Sequence, residues 1–92
     1  MGSREADSDP VVRELRDQIA ATDSELVKAI NRRVELVRRL KEHKSAQGFD
    51  FVDQTQEERL VDRLAEENPG PLSEESLREL YRMLLELTKR EA

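Results

Sequence analysis

From Leu15 onward apolar side chains recur at intervals of three and four. Leu15, Ile19, Leu26, Ala29, Ile30, Leu36, Val37 and Leu40 share one face when each residue advances about 100° round a helix. Thr22 and Arg33 lie on the same face and Lys44 closes it, so the stripe is nearly heptad but broken by two cations. The spacing predicts one long helix. Pro10 suits its first turn, because the N–H that proline lacks would be unpaired there in any case, and Asp9 stands ready as cap. The helix should run to Ala46, with Gly48 as the left-handed residue that commonly follows a helix end. Two shorter periodic stretches follow. Leu60, Val61 and Leu64 share a side with Glu57, behind two competing caps, Asp53 and Thr55, and stop near Asn68 at a Pro69-Gly70-Pro71 turn. Leu77, Leu80, Tyr81, Leu84 and Leu85, extended by Thr88, mark a third helix opened by Ser73, Glu74 and Glu75 and closing near Arg90. No segment alternates with period two over strand length, so the fold class is all-α, one long N-terminal helix and two shorter ones.

A helix of about 37 residues is roughly 55 Å long, whereas a compact domain of this size has a radius of gyration of about 12 Å. Two short helices cannot cover so long an apolar face. The expectation is an intertwined homodimer, with a twofold-related copy laid along the stripe. Composition narrows the rest. With 92 residues, 40% charged and 36% hydrophobic, the chain has room for a single domain at 10–92, behind a disordered tail at 1–9. It has no cysteine and one histidine, which removes disulfides, thiolate metal sites and His-rich zinc sites. A net charge of -5 with dispersed cations argues against nucleic acid as partner. A polar N-terminus and no long apolar run argue against membrane and export, and so for a cytoplasmic protein.

Charged groups avoid interior faces unless they are paired, so the polar residues that interrupt apolar stripes are the candidate chemistry: Arg33, Lys44, Glu57 and Thr88. Arg33 and Lys44 are three turns apart, about 16 Å along one face, and their long side chains can converge on one pocket. Arg16 lies about 25 Å further back and cannot reach that pocket from its own chain, but in an antiparallel dimer it enters the neighbour's. Two or three cations with one carboxylate and one hydroxyl suit a small dianion that carries a hydroxyl. Each residue also has a plainer role: Arg33 as a registry device, Lys44 as a cation at a helix C-terminus, Glu57 as a first-turn carboxylate, Arg16 as a solvated side chain.

The run Leu15-Arg16-Asp17-Gln18-Ile19, then Asp23, Leu26, Asn31-Arg32-Arg33, Lys44, Asp53, Glu57-Glu58-Arg59 and the Asn68-Pro69-Gly70-Pro71 turn, resembles the all-helical chorismate mutases from Val12 to Thr88. The resemblance implies a homodimeric isomerase with shared sites, converting chorismate to prephenate in aromatic amino acid biosynthesis, the shikimate pathway, without cofactor or metal. The reaction is a unimolecular Claisen rearrangement. It needs restraint of a compact chair and a cation at the ether oxygen, and no nucleophile. On the same basis Arg33 would pair with the ring carboxylate, and Arg16, across the dimer, with the other. Lys44 would bond the ether oxygen and a carboxylate; Asp53 through its backbone and Glu57 would address the substrate hydroxyl; Thr88 would help hold a carboxylate. Two positions depart from the pattern. Gln56 stands at the pocket margin where an arginine is common, and Ala92 stands where a glutamine or glutamate usually faces the ether oxygen. These departures leave open an altered substrate on the same scaffold, as in an isochorismate pyruvate-lyase or an aminodeoxychorismate mutase, or a weak site completed by an activating pathway enzyme. The alternative of a different class is a non-catalytic helical dimerisation module.

Overall fold

The computed structural model describes residues 8–92. Of the tail expected at 1–9, residues 1–7 lie outside the described residues. Asp9 opens α1 (Pro10–Gln47): its carboxylate accepts the backbone N–H groups of Val11 at 2.8 Å and Val12 at 3.2 Å. The helix closes where Gly48 turns to a φ of 75°, which brings its N–H to Ser45 O and the Phe49 N–H to Lys44 O.

The second helix, α2 (Gln54–Glu67), resolves the competition between its two caps. Asp53 wins: it sits in extended backbone and its carboxylate accepts the Gln56 N–H at 3.1 Å, while Thr55 lies inside the first turn. Asp53→Ala should therefore lower stability by about 1 kcal/mol and Thr55→Ala by a few tenths at most, read from urea unfolding at fixed protein concentration. Asn68 then shapes the turn, accepting the Gly70 N–H at 3.0 Å and donating to Leu72 O at 2.7 Å, and the Gly70–Pro71 peptide is cis. Ser73 caps α3 (Glu74–Glu91) by accepting the Ser76 N–H at 3.1 Å.

The chain falls into two compact units, one ending at Arg32 and one spanning Arg33–Ala92, and α1 contributes to both. The N-terminal unit, where described, is α1 alone. It buries nothing: Leu15, Ile19 and Leu26 are 52%, 60% and 52% exposed. In the C-terminal unit α2 and α3 run antiparallel, as the ion pairs Asp62 with Arg78 near the turn and Glu57 with Lys89 far from it require. Leu77, Leu85 and Thr88, all on α3, are the buried residues. Among the described residues there is no strand, and the architecture is three helices.

Candidate active site

The periodicity that makes α1 amphipathic also lines up Arg33, Val37, Leu40 and Lys44 along one cavity of about 220 Å³ in the C-terminal unit. The α1–α2 connection adds Phe51 and Asp53 to its wall, and the first turns of α2 add Gln56, Glu57 and Leu60. Leu85 and Lys89, one turn apart on α3, complete it. Five of the residues singled out in the sequence, Arg33, Lys44, Asp53, Gln56 and Glu57, thus meet at one place. Three cations and two carboxylates stand among apolar side chains, an arrangement that can hold a small polyanion, and among the described residues no hydroxyl, thiol or imidazole side chain lines it.

Arg33 is half-buried and fixed from behind: its Nη1 donates to the Thr88 hydroxyl. Thr88 is fully buried and lies off the cavity wall. Its hydroxyl can donate back along α3, to Leu84 O at 2.9 Å or Leu85 O at 3.3 Å, while a lone pair accepts from the guanidinium. Thr88, expected to help hold a carboxylate, here accepts from the arginine. Lys44, also half-buried, donates to Phe51 O at 3.2 Å, which ties the end of α1 to the connection and uses one of its three ammonium hydrogens. Asp53 caps α2 from the wall. Gln56 is on the wall as a neutral side chain. Arg16 belongs to the N-terminal unit, and neither it nor Ala92 is among the lining residues; the Ala92 N–H closes α3 on Thr88 O at 3.0 Å.

Lys89, like Phe51, lines the cavity without standing out in the sequence. Its ammonium reaches Glu57 Oε1 at 2.9 Å and Oε2 at 3.4 Å, and Glu86 Oε1 at 3.3 Å. A cation in the last turn of a helix is ordinary dipole compensation, which hid it. The signal was its spacing: it follows buried Leu85 by four residues, at the edge of the apolar face. Hydrogen bonding to Glu57 first, and Glu86 after it, holds the Lys89 ammonium above the usual lysine value against the opposing effect of burial. A cation raised in the folded state adds stability below its unfolded pKa and loses it only as pH climbs through the raised value, so the pair is intact at neutral pH.

Residues 15–92 match the family model described as chorismate mutase type II. Among solved structures, form I of the chorismate mutase from Thermus thermophilus is 25% identical, with a TM-score of 0.81 over 84% of this chain and 96% of that one. Form II of the same enzyme is 24% identical, with a TM-score of 0.83 over 86% and 90%, a likeness of fold. No curated protein matches the chain.

Proposed function

The chain belongs to the chorismate mutase type II family and is an isomerase that converts chorismate to prephenate; from that premise we propose how its own residues carry the reaction. Arg33, held by Thr88, pairs with one substrate carboxylate, and Arg16 of a second copy with the other. Lys44 faces the ether oxygen. As the ether C–O bond breaks and the new C–C bond forms, no proton leaves, and negative charge grows on that oxygen, where a fixed ammonium lowers the barrier. Glu57 accepts the substrate hydroxyl. The observation that carries this reading is the convergence of Arg33, Lys44 and Glu57, from α1 and α2, on one small cavity with Lys44 keeping two donors available.

The homodimer is part of the same proposal. Half-exposed Leu15, Ile19 and Leu26 on a helix that buries nothing are what a second copy would cover. Among the described residues no helix is long and apolar enough to cross a membrane; a cytoplasmic setting, and an activating pathway enzyme that compensates for Gln56 and Ala92, complete the proposal. Purified protein should consume chorismate, followed by loss of the enolpyruvyl absorbance, with prephenate as product. Consumption of isochorismate or aminodeoxychorismate in its place would reassign the substrate. A bicyclic dicarboxylate mimic of the transition state, at 100 times its Kd, should stabilise the fold by about 2.7 kcal/mol in thermal unfolding. A non-catalytic dimerisation module predicts no shift.

A further inference from the structure

We propose that Lys89 is a positioning residue for this reaction: its ammonium clamps the Glu57 carboxylate, neutralising it and fixing the orientation in which it meets the substrate hydroxyl. The inference rests on the chorismate mutase reading of the cavity. A bare carboxylate on the wall of a site for a dianion repels the ligand that it is meant to orient, and a free glutamate has three torsions in which to turn away. Lys89 answers both problems, because it contacts the two carboxylate oxygens at 2.9 and 3.4 Å from the neighbouring helix. It is also the third cation of a wall on which position 56 is a neutral glutamine.

A purely structural role is poorly placed to explain the pair. Fastening α2 to α3 is already served by Arg78, which bonds Asp62 at 2.9 Å on the exposed side and takes Glu74 at 3.4 Å. The Lys89 and Glu57 side chains are instead only 21% and 28% exposed, and both face the cavity. Glu86 holds the ammonium from outside, so the clamp stands before substrate arrives.

Steady-state kinetics on chorismate test this with Lys89→Met, Lys89→Arg, Glu57→Gln and the double variant, with Arg78→Met as the control for helix fastening. Lys89→Met should lower kcat/KM roughly 10- to 100-fold, the scale of a misplaced reacting partner, with KM raised and kcat lowered together. Lys89→Arg should recover most of the loss. The double variant should be no worse than Glu57→Gln alone, since the clamp acts only through Glu57. Arg78→Met should lower the unfolding midpoint and leave kcat/KM unchanged. Parental kinetics in Lys89→Met, or losses that multiply in the double variant, would overturn the inference. If Lys89→Met loses its helical circular dichroism, Lys89→Gln carries the same two criteria. An unsubstituted chain that fails to turn over chorismate overturns the functional reading itself, whereas an active chain indifferent to position 89 overturns only the role of Lys89.

Discussion

Lys44→Ala is expected to lower kcat/KM on chorismate by roughly 100- to 1,000-fold, or about 3 to 4 kcal/mol of barrier, while the protein stays folded. The size follows from where the ammonium stands. Charge develops on the ether oxygen only as the bond breaks, so a donor fixed beforehand stabilises the transition state more than the substrate. Val37, Leu40, Phe51 and Leu60 share the lining with Lys44, and a half-buried ammonium is screened less than one in open water. Stability should change far less, because the one bond the ammonium gives to the protein is to Phe51 O; its loss is worth about 1 kcal/mol. Lys44→Arg should not rescue turnover, since a planar guanidinium cannot deliver a single compact charge to one oxygen. Kinetics beside a urea curve separates the two effects. Near-parental turnover in Lys44→Ala would remove Lys44 from the reaction.

Leu26→Glu is expected to abolish the dimer and, with it, the fold. Leu26 is 52% exposed on a helix with no buried residue, and one chain has little core beyond Leu77 and Leu85. If a second copy covers the stripe, twofold symmetry repeats every interface change. Two lost leucines then remove about 3 to 6 kcal/mol of burial, and two uncompensated carboxylates add to the penalty. That is comparable to the whole stability of a small domain, roughly 5 to 15 kcal/mol. Sedimentation should show a monomer, and far-UV circular dichroism a large loss of helix at micromolar concentration. Glu25→Gln, next to it but off the stripe, should leave both signals as they are. A dimer that persists in Leu26→Glu would contradict the placement of Leu26 between copies, and a stable helical monomer would contradict the dependence of the fold on pairing.

The helices were legible in the chain because local chemistry and apolar spacing agree at each of them. Pro10 behind Asp9, Gly48 after Gln47 and Ser73 before Glu74 each mark an end at which the backbone groups find the expected partner. At α2 the pattern offered two caps, and only the extended backbone at Asp53 decides between them. Arg33, Lys44 and Glu57 were legible as a group because each interrupts an apolar face, whereas Asp53 and Gln56 came into the site only through the family resemblance. Two features were not legible. Thr88 lies on the right helix face, but that its hydroxyl accepts from Arg33, 55 positions earlier, depends on how α1 and α3 pack. Lys89 owes its place to α2 and α3 running antiparallel, which brings it beside a glutamate 32 positions earlier. Spacing along one helix carries no trace of that pairing.

If each site draws Arg33 from one chain and Arg16 from the other, two inactive variants should complement each other when mixed. Arg16→Ala and Arg33→Ala should each be nearly inactive. When the two are unfolded together and refolded, half of the dimers become hybrids, and in each hybrid one site receives Arg33 from one chain and Arg16 from the other. Activity should then recover to about a quarter of the parental value. If hybrids form, as a mass tag on one variant would reveal, and activity stays at the level of the separate variants, Arg16 does not cross the dimer and the account is contradicted.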